Sequence, residues 1–380
     1  MKVLIVMDGY FPGKKYGGPP ISVDNLCSLL CGSNKFFIVT HNHDMNDPKP
    51  YVGIKENVWV NRGNAFVKYL SNKDYKKSSF ESIIKEIRPD VLYLQGVFQK
   101  SIIPCLFLSK KFKIGVLLAS RGELCEGALK KKYKKIPYIL FIRLFNLLRY
   151  VTFQSTSEEE TSGIVNYLHA NKDKVYFLPN VPSLPKQECV HWTKKRNVAR
   201  FVFLSRIHPK KNLIRALSFF KKTTGVVTFD IYGPVEDEAY WRLCQNVIAN
   251  LPDSVTVHYC GDVLHEDVHE VFSRYDAFLF PTFSENYGHV IAESFFAGTP
   301  VIISNNTPWK NLFAHNAGWN LSLDDDNGFV EAIQSIIDMD NNSYQLFSKG
   351  AKDYIFNQIN VDQLKKKYES VIEKTKGFAE

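Results

Sequence analysis

Glu285 and Glu293 stand on either side of a Tyr287-Gly288-His289 turn in the stretch FPTFSENYGHVIAESFFAGTPVI, Phe280–Ile302. An apolar helix is expected to begin at that turn. The first N–H groups of a helix have no partners and carry partial positive charge, so they favour a phosphate. Carboxylates accept hydrogen bonds from hydroxyls. The spacing fits a ligand with a diphosphate in its middle and hydroxyls at both ends. In that arrangement Glu285 would take sugar hydroxyls, the backbone at Tyr287, Gly288 and His289 the phosphate, and Glu293 a ribose. The helix dipole alone also draws carboxylates to a helix start, and spacing does not choose between the two.

A second stretch, FVFLSRIHPKKNLIRAL (Phe201–Leu217), supplies cations. A strand is expected to end at Ser205. Arg206, His208, Lys210 and Lys211 then arrive before the next helix. Cations at the carboxyl end of a parallel strand can hold a diphosphate, Arg bidentately and Lys as a point charge. The alternative is a solvated basic loop.

These residues need a scaffold, and the apolar runs describe one. Lys2–Met7, Phe36–Thr40, Val91–Leu94 and Ile114–Ala119 read as buried parallel strands, with helices at about Ser22–Leu30, Phe80–Ile87 and Ile102–Lys110 between them. LPNVPSLPKQ, with three prolines from Pro179 to Pro185, reads as a linker. The alternation then restarts. Strands are expected at Phe201–Ser205, Val226–Tyr232, Val255–Tyr259, Ala277–Phe280 and Val301–Ser304. Helices are expected at Leu213–Lys221, Glu238–Asn250, His265–Arg274 and after Gly288. The predicted fold is α/β: two doubly wound, Rossmann-like domains facing a cleft. The expected limits are 1–185 and 198–355. A last helix near Val361–Lys374, within 356–380, is expected to pack back towards the first domain.

Bulk properties agree. A chain of 380 residues is long for one domain, and 45% hydrophobic with 23% charged residues excludes a disordered chain. The net charge of +9 points to an anionic partner. Seven cysteines without a CxxC pair argue against a disulfide framework or a zinc site and fit a cytoplasmic setting. The opening MKVLIVMDGYFPG is not expected to be a signal peptide, and no apolar run is long enough to cross a bilayer. No module that recognises nucleic acid is visible.

SRIHPKKN, the DIYGP turn (Asp230–Pro234) with EDEAYW after it, and SENYGHVIAES together resemble the family 4 glycosyltransferases of GT-B architecture. The Gly17-Gly18 loop, SRGELCEGALKKKYKK and TSEEE resemble the branch that builds bacterial surface polysaccharides such as O-antigen and capsule. The resemblance implies retaining transfer of a sugar from a nucleoside diphosphate sugar, with UDP the expected nucleotide, to a hydroxyl of a polyprenyl-diphosphate-linked saccharide. It implies that Arg206 and Lys211 neutralise the leaving diphosphate, that Glu285 binds the donor sugar and that Glu293 binds the ribose. Gly17, Gly18 and Gly233 would let backbone approach the nucleotide. No cofactor and no metal is implied.

The family often has a histidine where Arg121 stands, and a His-Gly where this chain has Gln95-Gly96. Arg121 is expected to stabilise the leaving phosphate, with Glu123 and Gln95 towards the acceptor. Arg121 and Glu123 can equally be a structural pair at a helix start. Two rival functions remain at this point: a GT-B sugar-nucleotide epimerase, and a non-catalytic nucleotide-sugar-binding subunit.

Other features read as follows. Ser157 and Glu160 fit a capping box. His41 and His43 are expected in an exposed loop. Asp324-x-Asp326 is expected to be a polar turn and no metal site. The stretch Ala128–Tyr150 reads as an amphipathic helix behind Lys130, Lys131, Lys132, Lys134 and Lys135. That pattern suits the anionic inner face of a plasma membrane, to which the protein would bind peripherally. A packed helix with a solvated basic start is the alternative.

Overall fold

The computed structural model describes residues 1–13, 15–125, 132–185, 193–285 and 287–378, with backbone alone for 132–134. The chain divides into two compact units. The first comprises Met1–Val181 with Val361–Glu380, and the second Pro182–Asn360.

The first unit is built on an eight-stranded sheet. Its strands are β1 (Lys2–Val6), β2 (Lys35–His41), β3 (Trp59–Asn61), β4 (Ala65–Leu70), β5 (Val91–Gln95), β6 (Gly115–Ala119), β7 (Val151–Ser155) and β8 (Val175–Phe177). Their order is β3-β4-β2-β1-β5-β6-β7-β8. Only β3 runs antiparallel to its neighbour among the paired strands described. The helices are α1 (Gly18–Leu30), α2 (Lys77–Ile87), α3 (Ile102–Phe112), α4 (Lys132–Leu144) and α5 (Glu158–Leu168). Strands β5 and β6 are buried along their whole length, which is why they read as continuous apolar runs. Phe80, Ile83, Ile84 and Ile87 give α2 one buried stripe at helical spacing.

The second unit has a six-stranded parallel sheet. Strands β9 (Val198–Leu204), β10 (Val226–Tyr232), β11 (Val255–Gly261), β12 (Ala277–Phe280), β13 (Val301–Ser304) and β14 (Gly318–Leu321) take the order β11-β10-β9-β12-β13-β14. Helices α6 (Leu213–Phe219), α7 (Glu238–Ile248), α8 (Val268–Ser273), α9 (His289–Ala297), α10 (Asp326–Asp338) and α11 (Asn341–Gln358) flank it. In each sheet the chain winds outward from one strand, then returns to that strand's other side. The reversal falls between β1 and β5 in the first unit and between β9 and β12 in the second. Crevices at the carboxyl ends of such strands are where open α/β sheets bind ligands.

The last helix, α12 (Val361–Gly377), belongs to the first unit. Tyr368 donates to the Pro179 carbonyl at 2.9 Å, Lys376 pairs with Asp90 at 3.0 Å, and the Thr375 and Thr152 hydroxyls meet at 2.7 Å.

Several expectations need correction. The helix expected over Ala128–Tyr150 stops at Leu144, turns follow, and β7 begins at Val151. The helix expected at His265–Arg274 starts as a tight turn, His265–Asp267, before α8. Strands β3, β4, β8 and β14 and helices α10 and α11 were not anticipated. His41 is not in an exposed loop: it ends β2, is 6% exposed, and stacks on Tyr75 at 3.8 Å. The capping box is half formed. Ser157 accepts from the Glu160 N–H at 3.1 Å, but the Glu160 carboxylate turns to the Thr156 N–H and hydroxyl and to the Gly122 N–H. Asp325 caps α10 and Asp326 pairs with Arg215.

Of the five lysines, Lys130 and Lys131 lie outside the described residues, as do the side chains of Lys132 and Lys134. Lys135 lies over the Phe98 ring at 4.3 Å and donates to the Glu123 carbonyl at 3.3 Å. Beyond it, Ile136, Leu140, Phe141, Leu144 and Phe145 are exposed. Among the described residues no helix is long and apolar enough to cross a membrane.

Candidate active site

The switch point of the second unit gathers the predicted phosphate and hydroxyl ligands. Strand β9 ends at Leu204 and hands the chain to Ser205 and Arg206. A tight turn, Pro209–Lys211, then presents Lys211, with the His208 ring accepting from the Lys210 N–H at 3.1 Å. Strand β12 leads to Thr282 and Glu285. The two loops are sewn together. Asn212 donates to the Pro281 carbonyl at 2.9 Å, and the Phe283 N–H donates to the Lys210 carbonyl at 3.0 Å. Lys211 and Glu285 thereby meet, Nζ to Oε1, at 2.5 Å. Thr282 donates to the same oxygen at 3.1 Å.

Arg206 also has a carboxylate partner. Its Nη1 lies 2.9 and 2.8 Å from the two oxygens of Glu236, and both side chains are half-buried. Arg206 and Lys211 are thus each held by a glutamate. Glu236 follows the DIYGP turn. In that turn Gly233 has φ 125°, and a Cβ there would sit 2.1 Å from the Ser205 carbonyl oxygen. Its N–H is already engaged by the Gly261 carbonyl at 2.8 Å, so its contribution is clearance beside the β9 end.

Helix α9 opens behind Gly288, which is left-handed at φ 75°. Among the described residues no side chain caps this end. Tyr287 is held just before it: its carbonyl accepts from the Trp309 indole at 2.8 Å, and its ring meets those of His289 and Trp309. Helix α9 is buried from Ile291 to Ala297, and Glu293 lies among these residues at 3% exposure. Among the described residues its Oε1 has no hydrogen-bond partner, and His265 Nδ1 approaches to 3.6 Å. Burial pushes this carboxyl up to about 8. A buried carboxyl with an unfilled acceptor is costly unless something completes it.

The first unit holds the other predicted residues. Gly17 precedes α1 with φ 72°, a conformation that favours glycine, and Gly18 begins the helix. Pro19 and Pro20 follow, so two of the first N–H groups are missing from that helix mouth. Arg121 is left-handed at φ 52° and committed within the unit. It donates to Gln95 at 2.7 Å and Asn180 at 2.6 Å, with the Tyr93 hydroxyl at 3.5 Å. Glu123 accepts from the N–H groups of Val97 and Phe98, at 2.5 and 3.0 Å, and from Gln99 at 2.8 Å. It therefore ties down the loop after β5. Gln95, Arg121 and Glu123 line one cavity with Asp8, His41 and His43.

Sequence reasoning missed Asp8, Glu236 and His265. Asp8 follows the β1 run directly, so the strand-end rule applied to Arg206 would have found it.

The family profile of glycosyl transferases group 1 matches residues 190–354. No curated protein sequence matches the chain. HepE of Anabaena, solved with UDP and glucose, is similar at 13% identity and a TM-score of 0.69, over 98% of this chain and 100% of that one. The fold is GT-B. A glycosyltransferase from Rickettsia africae superposes at TM-score 0.70 with 12% identity, over 98% of each chain. WaaG, a glycosyltransferase involved in lipopolysaccharide biosynthesis, does so at 0.65 with 12% identity, over 97% of this chain and 99% of that one. The profile match covers the segment that carries Arg206, Lys211, Glu285 and Glu293.

Proposed function

We propose that the protein is a retaining, metal-independent glycosyltransferase. It moves a sugar from a nucleoside diphosphate sugar, a UDP-sugar, to a hydroxyl of a lipid-linked saccharide in surface-polysaccharide synthesis. One observation supports the reading: Lys211 and Glu285, from the loops after the adjacent strands β9 and β12, meet at the switch point of the profile-matched unit.

In this account Lys211 and Arg206 take the diphosphate in exchange for Glu285 and Glu236. Glu285, released, accepts from the donor sugar's hydroxyls, and Glu293 accepts from the ribose. The uncapped mouth of α9 faces developing phosphate charge. The bond from the anomeric carbon to the diphosphate oxygen breaks and the bond to the acceptor oxygen forms on the same face. The acceptor proton passes to the departing phosphate. Charge stabilisation then comes from fixed cations and backbone dipoles, without calling on a metal.

The HepE structures solved with UDP and glucose and with UDP-glucose support the nucleotide, and the involvement of WaaG in lipopolysaccharide biosynthesis supports the pathway. The exposed apolar residues of α4, followed by Phe145, support peripheral attachment at the cytoplasmic membrane surface, where a lipid-linked acceptor is met.

Incubating the protein with radiolabelled UDP-sugars and a lipid-linked acceptor extract tests the reading. Label moving into the lipid fraction, and failing to do so with Glu285→Ala, is expected. A sugar-nucleotide epimerase would convert the donor without acceptor. A binding-only subunit would leave it unchanged.

A further inference from the structure

A line of buried hydrogen bonds joins α12 to Arg121. Tyr368 of α12 donates to the Pro179 carbonyl at 2.9 Å and accepts from Gln154 Nε2 at 2.8 Å. Gln154 Oε1 accepts from the Tyr93 hydroxyl at 2.5 Å. The Tyr93 oxygen lies 3.5 Å from Arg121 Nη2 and also hydrogen-bonds the Gln95 side chain. Gln95 Oε1 in turn accepts from Arg121 Nε at 2.7 Å. Tyr93, Gln154 and Tyr368 are at most 2% exposed, so the line runs through the core of the unit and not over its surface.

The sense of the line is fixed at its far end. A carbonyl can only accept, so Pro179 takes the Tyr368 proton and the Tyr368 oxygen accepts from Gln154. The Gln154 amide nitrogen also donates to the Leu178 carbonyl at 2.8 Å, which sets which way the amide points. Its oxygen then takes the Tyr93 proton. The Tyr93 oxygen is left with lone pairs alone, and it presents them to Gln95 and to a guanidinium that has only donors.

Both ends of the line are anchored. The chain re-enters the first unit at Val361, and α12 lies so close to β6 that a Cβ at Gly115 would collide with the Thr375 carbonyl. At the other end Glu160 of α5 accepts from the Gly122 N–H, which fixes the backbone beside Arg121. The half-buried Arg121 side chain lines the cavity at the β1/β5 switch point, and Gln95, Asn180 and Tyr93 set its direction. Buried polar groups cost stability unless each is satisfied, and apolar side chains would pack these positions without that demand. This line is satisfied link by link, and it ends on a cation at a ligand cavity.

We infer that Tyr93, Gln154 and Tyr368 are positioning residues that orient the Arg121 guanidinium towards the cavity, which makes α12 part of the support of that site. That Arg121 acts on the leaving phosphate rests on the transferase reading; the orientation of its side chain through Tyr368 does not.

NMR on the whole protein with isotope-labelled arginine reads the Arg121 Nε–H, assigned by its loss in Arg121→Lys. Tyr93→Phe and Tyr368→Phe each remove one hydroxyl from the line. Thr375→Val removes the bond from α12 to Thr152, which lies off the line, and is the control for lost packing. Solvent exchange of the Arg121 Nε–H is expected to quicken about tenfold in both Phe variants, the loss of one hydrogen bond, and not in Thr375→Val. In the transfer assay the Phe variants should lose about tenfold in kcat with the donor KM unchanged, and Thr375→Val should keep both. An unprotected Arg121 Nε–H in the wild type, unchanged exchange in both Phe variants, unchanged kcat where exchange quickens, or an equal loss in Thr375→Val would overturn the inference. Quickened exchange in a protein that transfers no sugar would sink the transferase reading and leave the positioning standing.

Discussion

Lys211 Nζ and Glu285 Oε1 lie 2.5 Å apart, with side-chain exposures of 13% and 14%. A cation meant for phosphate and a carboxylate meant for hydroxyls neutralise one another. The pair keeps two largely buried charges satisfied, and a donor that supplies phosphate to one and hydroxyls to the other can replace it without stranding either. Glu285→Ala removes the hydroxyl ligand and leaves Lys211 uncompensated. Turnover should fall about 100-fold or more, in line with removal of one preorganised group at a transition state. Steady-state kinetics, with circular dichroism as a check on folding, would read this.

Glu293 makes stability and donor binding depend on pH. Burial holds its carboxyl protonated up to about pH 8, while the unfolded chain loses that proton near the usual carboxylate range. Between the two, the folded state binds the extra proton. This contribution to stability is therefore full at acidic pH and declines as pH rises through that window, by at most about 1.4 kcal/mol per pH unit. Urea denaturation from pH 5 to 8 should show the slope, and Glu293→Gln should flatten it.

The ionised carboxylate is the better acceptor for ribose hydroxyls. UDP binding at pH 7 should therefore release a proton that Glu293→Gln does not release. Calorimetry in two buffers of different ionisation enthalpy measures it, and equal proton release in both proteins would contradict the ribose role.

Arg206 is held by Glu236, a half-exposed pair of the kind that contributes about 1 kcal/mol or less. Glu236→Gln should tighten UDP binding by up to about fivefold at low salt, with the gain shrinking as salt rises. Arg206→Ala should weaken UDP binding in both conditions. Fluorescence titration at two ionic strengths separates the effects.

On α4, Leu144 is 83% exposed and Leu140 and Phe141 also face solvent. Replacing Leu140 and Leu144 with Glu should reduce sedimentation with anionic vesicles and leave UDP affinity unchanged. Full retention on vesicles would remove the membrane reading and leave the donor site untouched.

The strands that lead to the proposed donor-binding residues were legible because each is a short buried apolar run ended by polar residues. Arg206 after β9 followed from that rule, and Glu285 from its spacing to Glu293 across the Gly288 turn. Strand β7 was hidden because VTFQS follows a long apolar stretch with no Gly or Pro to mark the change. Strand β4 alternates buried and half-buried residues beside a three-residue partner, a weak signal in so short a run. The polar sequence HNHD reads as a surface loop, yet His41 is buried by Tyr75, which arrives from a distant turn. The pairing of Arg206 with Glu236 and of Lys211 with Glu285 depends on where side chains meet in space, which spacing does not encode. Glu293 was legible as a candidate, but its burial comes from the apolar surface packed around α9.

A crystal structure with a bound UDP-sugar tests the central claim most directly. The account predicts the diphosphate against Lys211, Arg206 and the mouth of α9 at Gly288, with Lys211 drawn away from Glu285 and the ribose on Glu293. A diphosphate bound elsewhere, with Lys211 and Glu285 still paired, would contradict it.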